Sequence, residues 1–182
     1  MPPYYPTNKK LVAIGDGACG KTCLLIRFQR GDFPEEHVPT IFESYVADVQ
    51  LNKEVLRLAL FDTAGQEDYD VLRPIAYSDT HVLLICFDIS NMDSLRNVYE
   101  KWIGEAEHYM RNVPIILVGC KSDLRKSKFP TVDIYEAEAI AARIKAKHYF
   151  ECSAKTGENI ENVFRVAAQL TVNPSKSCCT IL

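Results

Sequence analysis

The chain has 182 residues, of which 47% are hydrophobic and 25% charged, and a net charge of −3, the balance of one folded domain with a substantial core. A slightly acidic chain without a concentrated basic face argues against nucleic acid as a partner, and no apolar run approaches the ~18 residues needed to cross a bilayer. The start, Met1-Pro2-Pro3-Tyr4-Tyr5-Pro6-Thr7-Asn8, has no charged segment leading into an apolar one, so no secretory leader is expected and the expected compartment is the cytoplasm. Seven cysteines, odd in number and without paired spacing, do not suit a disulfide framework or a zinc site; Cys23 and Cys86 lie in apolar runs, where a thiol acts as a small hydrophobe.

In chain order, residues 9–14 end an apolar strand, and residues 20–30 read as a helix carrying Cys23, Leu24 and Phe28 on one side. Residues 31–42, with Gly31, Pro34 and Pro39, read as a long connection of the kind that is more often functional than idle. Residues 45–51 and 55–61 alternate around a polar turn and predict an antiparallel hairpin. Residues 81–88 and 114–119, rich in Val, Ile and Leu, predict parallel strands buried on both faces. Leu95, Val98, Tyr99, Trp102, Ala106 and Tyr109 recur at helical spacing and read as core rather than as ligand contacts. Residues 133–146 read as a third helix opened by an Asp133/Glu136 capping box, 148–152 as a last strand, and Ile160, Val163, Phe164, Ala167 and Leu170 as a final amphipathic helix. Alternating strands and helices predict an α/β fold: a six-stranded, mostly parallel sheet with one antiparallel edge strand and helices on both faces. Ligands of such sheets bind beyond the carboxyl ends of the strands.

At one such end lies Gly15-Asp16-Gly17-Ala18-Cys19-Gly20-Lys21-Thr22, the G-x-x-x-x-G-K-[ST] pattern of a P-loop NTPase. Its glycines let successive backbone N–H groups turn inward on an anion, Lys21 neutralises β- and γ-phosphate charge, and Thr22 offers a hydroxyl to Mg²⁺. The strand Leu58-Ala59-Leu60-Phe61 ends in Asp62, placed for a second-shell or direct Mg²⁺ contact. In the following Thr63-Ala64-Gly65-Gln66, Gly65 can offer its N–H to a γ-phosphate and Gln66 can orient an attacking water. Past residues 115–119 comes Cys120-Lys121-Ser122-Asp123, where an acceptor-only carboxylate suits the ring NH and exocyclic NH₂ of guanine, a donor pair that adenine lacks. Lys121 can lay its stem over a base, and Ser153-Ala154-Lys155 offers a backbone N–H to guanine O6.

These four motifs, in this order and spacing, resemble the Ras superfamily of small GTPases over essentially the whole chain. Gly15-Asp16-Gly17-Ala18, Lys21-Thr22-Cys23-Leu24-Leu25, residues 61–70 and Leu72-Arg73-Pro74 are similar to its Rho/Rac subfamily, and Val38-Pro39-Thr40-Ile41-Phe42-Glu43 looks like that subfamily's first switch. The resemblance implies a GTPase domain over residues 1–172 that binds GTP or GDP with Mg²⁺ and hydrolyses GTP slowly. It implies nucleotide contacts from the residues of 15–23 and from Phe33, which would pack against guanine, and Mg²⁺ ligation by Thr40 in the GTP state alone. Loss of the γ-phosphate would release both switches. Implied partners are effectors through residues 37–45 and 66–77, an exchange factor, a GTPase-activating protein and a dissociation inhibitor.

Four positions depart from the family pattern. Cys120 stands where Asn or Thr is usual and, as a poorer hydrogen-bond partner, is expected to weaken nucleotide retention. His37 stands near the γ-phosphate where an aromatic hydroxyl is common, and Val71 replaces a basic residue. The span from Asp123 to Ser153 is short for a Rho protein, so the inserted helix is expected to be missing or vestigial. No intrinsic arginine finger is evident, because Arg73 lies beyond the second switch. Residues 173–182 read as a tether ending in Cys179-Thr180-Ile181-Leu182, a prenylation box whose final Leu favours geranylgeranyl on Cys179. One lipid needs a second signal; a polybasic patch is absent, and palmitoylation of Cys178 is expected to supply it, giving reversible attachment to the cytoplasmic face of a membrane. Two rival readings are a GTP-loaded scaffold that scarcely cycles, and a P-loop ATPase or small-molecule kinase.

Overall fold

Four apolar runs become the parallel strands β1 (Asn8–Gly15), β4 (Val82–Asp88), β5 (Ile115–Cys120) and β6 (His148–Cys152), and two longer alternating runs become β2 (Phe42–Leu51) and β3 (Glu54–Thr63). In this computed structural model, which describes residues 8–35, 40, 42–51 and 54–172, they form one sheet in the order β2-β3-β1-β4-β5-β6. β3, β1, β4, β5 and β6 pair in parallel, and β2 alone runs antiparallel, at the edge. The hairpin is longer than its alternation predicts, because Phe42 pairs with Thr63 and Leu51 with Glu54, so that pairing extends to both ends of the two strands. The predicted hairpin turn at Asn52 and Lys53 lies outside the described residues, and Glu54 belongs to β3 rather than to the turn.

The helices are α1 (Lys21–Arg30), α2 (Met92–Asn97), α3 (Ile103–Tyr109), α4 (Ile134–Arg143) and α5 (Ile160–Val172). Side-chain alternation along the strands sends one set to each face of the sheet. Leu11, Ala13, Leu58, Leu60, Leu84, Ile116 and Val118 pack under α1 and α5, and Val12, Ile14, Leu83, Ile85, Phe87 and Leu117 pack under α2, α3 and α4. The α5 stripe is buried throughout, as its spacing predicts. Asp133 caps α4 by accepting from the Tyr135 N–H at 2.7 Å. From 127 to 133 no helix intervenes before α4, as the short spacing there predicts.

The stripe that begins at Leu95 departs from expectation. Leu95, Val98, Trp102 and Ala106 are buried and Met110 continues the row, but Tyr99 and Tyr109 are exposed. Between α2 and α3 the chain makes a π-helical turn over Val98–Trp102, and this wider turn swings the buried row away from the tyrosines. Tyr99 instead lies under the Arg143 guanidinium.

Phe164 is fully buried on α5 and stacks on Phe28 at 3.9 Å between ring centroids. Phe164→Ala is expected to cost ~3–5 kcal/mol, because it removes a ring from a layer the sheet cannot close over. Urea unfolding checks this through a lower midpoint with an unchanged slope.

Candidate functional site

β1 ends at Gly15, whose φ of +143° and closeness to Cys86, with the carbonyl oxygen 2.1 Å from where a Cβ would sit, admit only glycine. Ala18 and Gly20 also take positive φ, and the chain curls before α1 begins at Lys21. Such a curl turns backbone N–H groups inward beside the positive end of a helix. Lys21 is buried, and its ammonium donates at 2.8 Å to the carbonyls of both Gly15 and Asp16, so the charge lies across the mouth of the loop. Cys19 is buried below, its thiol pushed up to about 12 by burial, while Cys23 is half-buried one turn along.

β3 delivers Asp62 to the same place. Its side chain is buried, burial pushes its carboxyl above the usual carboxylate range, and Oδ2 accepts from the Thr40 hydroxyl at 3.3 Å. The Thr22 and Thr40 hydroxyls are 2.8 Å apart, and Asp62 Oδ1 is buried without a hydrogen-bond partner among the described residues. Three oxygen-bearing side chains from three elements thus converge around an orphaned carboxylate oxygen. That is a hard, oxygen-only donor set suited to Mg²⁺.

Two residues on, Gly65 lies against the phosphate loop. A Cβ there would sit 2.3 Å from the Gly15 oxygen, the Asp16 carbonyl carbon and the Gly17 nitrogen. Gln66 reaches over Gly17, where an added Cβ would meet its Cγ at 3.6 Å and its Nε2 at 4.0 Å.

The loops after β5 and β6 close the far side. The Ser153 hydroxyl, fully buried, donates to Asp123 Oδ1 at 2.5 Å and accepts from the Thr156 N–H at 3.2 Å. Lys121 adopts a left-handed φ of 68°, and its ammonium meets Asp88 at 2.6 Å. Ala154 is half-buried and Lys155 exposed on the turn after β6. Cys120 ends β5 buried beneath the phosphate loop, its Cβ 3.0 Å from where Gly20 would carry one. Phe33 is exposed on the connection after α1. His37, Val38, Pro39, Ile41, Cys178 and Cys179 lie outside the described residues.

Sequence reading missed how Arg73 and Trp102 are used. Arg73 is no free cation: its side chain is buried, and it donates to the Ala64 carbonyl at 2.8 Å, the Gln66 carbonyl at 3.2 Å and the Glu105 carboxylate at 2.8 Å. Tyr77, its hydroxyl pushed up by burial and by Glu105, donates to the same carboxylate. Trp102 is core, as its spacing predicts, yet its indole N–H donates to Asp16 of the phosphate loop at 2.7 Å. These contacts join residues far apart in sequence, and no local pattern announces them.

A glycine-rich loop feeding a helix, with a strand-end carboxylate beside it, defines a P-loop nucleotide-binding protein of α/β class. Comparison narrows the class. The model of the Ras family matches residues 10–173. The chain is 51% identical to GTP-binding protein RHO1 of Candida albicans over 190 residues, covering 96% of each. It is 53% identical to GTP-binding protein rho1 of Schizosaccharomyces pombe over 89% of this chain and 85% of that one. Human Rho-related GTP-binding protein RhoB is 48% identical over 96% of this chain and 98% of its own. The chain belongs to the Ras family and is a Rho-like small GTPase.

Proposed function

We propose that the convergence of residues 15–22, Thr40, Asp62, Gly65 and Gln66 is the hydrolytic centre of a GTP-driven switch. The chain, as a Rho-like small GTPase, binds GTP and GDP and hydrolyses GTP. Lys21 brings its charge to the β- and γ-phosphates, the inward N–H groups of 15–20 hold the phosphate oxygens, and the Gly65 N–H donates to the γ-phosphate. Thr22 and Thr40 through their hydroxyls, with Asp62 directly or through water, would hold Mg²⁺, which when bound neutralises charge on the β- and γ-phosphate oxygens. The Gln66 amide orients a water in line with the bond to be cut. The water oxygen bonds to the γ-phosphorus, the P–O bond to the bridging oxygen breaks with its electron pair staying on the β-phosphate, and the water's protons pass to the phosphate and solvent; inorganic phosphate leaves while GDP stays bound until exchange. The observation that carries this reading is the contact of Gly65 with the phosphate-loop backbone, which leaves Gln66 over Gly17.

Base selection falls to Asp123, whose carboxylate accepts from the guanine ring NH and amino group, with Ser153 orienting it. The ion pair with Asp88 fixes the Lys121 stem beside the base plane, Ala154 and Lys155 present a backbone N–H toward O6, and Phe33 packs against guanine. These features favour GTP over the ATP of the rival reading. Since Arg73 is committed to internal partners, an arginine from a GTPase-activating protein supplies the fast rate, worth ~10³–10⁵. Effectors read residues 37–45 and 66–77, a surface on which Phe42, Val71, Leu72 and Ile75 stand exposed. Exchange factors and a dissociation inhibitor complete the partner set. Among the described residues no helix is long and apolar enough to cross a membrane; geranylgeranyl on Cys179 and palmitoyl on Cys178 would tether the protein reversibly to the cytoplasmic face of one. By family resemblance the process controlled is actin organisation or polarity.

Single-turnover assays of protein loaded with GTP and Mg²⁺ test the reading. Gln66→Leu is expected to abolish phosphate release while keeping nucleotide bound; wild-type turnover in that variant refutes the assigned role. Chelating Mg²⁺ with EDTA is expected to speed GDP release sharply from wild type and much less from Asp62→Asn, since the variant has already lost the carboxylate that the ion needs. Cys120→Asn is expected to slow GDP release roughly fivefold per hydrogen bond gained, at about 1 kcal/mol each, and an unchanged off-rate would show that the thiol costs nothing.

A further inference from the structure

Trp102 is the only tryptophan of the chain, and it touches the site from two directions. Its edge holds the phosphate loop: Nε1 donates to Asp16 Oδ1 at 2.7 Å, and beside it Asn97 Nδ2 donates to Asp16 Oδ2 at 2.9 Å. Both oxygens of that carboxylate are therefore gripped from one helix. Residues five apart point about 140° away from each other on a regular α-helix at 3.6 residues per turn. The π-helical turn between Asn97 and Trp102 is what brings them to one carboxylate. Such single wide turns recur at functional sites.

The ring face does a second job. The guanidinium carbon of Arg73 sits 4.8 Å from the indole centroid, and that guanidinium holds the carbonyls of Ala64 and Gln66, on either side of Gly65. Glu105, one turn beyond Trp102, fixes the same guanidinium with two contacts at 2.8 and 3.0 Å. The two loops that meet at Gly65 are thus each fastened to the π-turn helix, one through the edge of Trp102 and the other through its face.

We propose that Trp102 is a positioning residue for both halves of the site: its N–H sets the phosphate loop for nucleotide retention, and its ring seats Arg73 so that Gln66 meets the γ-phosphate in register. The second half rests on the hydrolytic role given to Gln66. Two variants separate the jobs. Trp102→Phe keeps a ring for Arg73 and loses only the N–H; it is expected to release GDP roughly tenfold faster, as befits a lost hydrogen bond to a charged group, and to hydrolyse bound GTP distinctly faster than Trp102→Leu does. Trp102→Leu loses both and is expected to release GDP equally fast and also to hydrolyse roughly 10–100-fold more slowly, the effect of a small misplacement of a water-orienting group.

A tryptophan that merely fills the core predicts another pattern, in which both variants melt at lower temperature but keep both rate constants of the wild type while folded. That result overturns the proposal. Equal hydrolysis in the Phe and Leu variants overturns the Arg73 half. If Trp102→Leu does not fold, the wild-type protein supplies the test, because its single indole N–H gives one cross-peak in a ¹H–¹⁵N spectrum. That peak is expected to shift between the GDP form and a non-hydrolysable GTP form, and a peak indifferent to the nucleotide overturns the seat. Gln66→Leu run in parallel separates the two levels: wild-type hydrolysis there removes the assumed role of Gln66, whereas the GDP-release arm still judges Trp102.

Discussion

The parallel pairing of β1 with β3 is the constraint on which the site depends. Its register sets Ala13 opposite Asp62, and the Thr63 hydroxyl donates to the Ala13 carbonyl at 2.8 Å, locking the two strands where they leave the sheet. From there β1 has two residues before the phosphate loop turns and β3 has none before Ala64, so the two loops emerge side by side. Gly65 fits against residues 15–17 only because it lacks a side chain. A slip of this pairing by one residue would turn Asp62 to the opposite face of the sheet and dissolve the convergence with Thr22 and Thr40.

Electrostatics explains why this convergence suits a ligand of high charge. Lys21 and Asp62 are both buried, and desolvation of an isolated ion costs several kcal/mol. Lys21 recovers part of that cost from the Gly15 and Asp16 carbonyls. Asp62 recovers less, since one oxygen has no partner among the described residues and burial raises its carboxyl. Phosphates bring oxygens for the lysine, and a divalent cation brings charge for the carboxylate. With a metal bound as proposed, burial would turn these two unfavourable groups into a preference for a metal–nucleotide pair over either component alone.

The parts of the fold and of the candidate site legible in sequence were those encoded locally. Glycines at 15, 17 and 20, the Lys21-Thr22 pair and the apolar run ending in Asp62 each carry their own conformational or chemical signature, and the strands and most helices followed from period alone. The expected lack of an inserted helix was equally legible, being a matter of length. The π turn at Val98–Trp102 was not, because its sequence continues a helical stripe; only packing against the phosphate loop and Arg73 distinguishes it from a regular turn. Arg73 was invisible as a buried group for the same reason: its partners Ala64, Gln66 and Glu105 reach up to 32 residues away, and nothing in the residues beside it announces them. Ser153 could be matched to a guanine motif, but its bond to Asp123 depends on β5 and β6 lying side by side.

The same contacts bound what can move. Residues 67–72 run between two fastenings, the Gly65 contact with the phosphate loop and the buried Arg73 guanidinium. The span itself is a short 3₁₀ turn with mostly exposed side chains, Val71 87% and Leu72 53% exposed, and among the described residues its one tie inward is Asp70, which pairs with Arg73 and Lys101. A segment with so few buried apolar contacts has little to lose on opening, whereas Arg73, with five donors in a buried fork, has a great deal. In the proposed switch, loss of the γ-phosphate would remove the partner of Gly65 at one end of the span only. The expected motion is therefore an opening of residues 67–72, between the Gln66 carbonyl that Arg73 holds and Arg73 itself, which changes the surface offered by Val71 and Leu72.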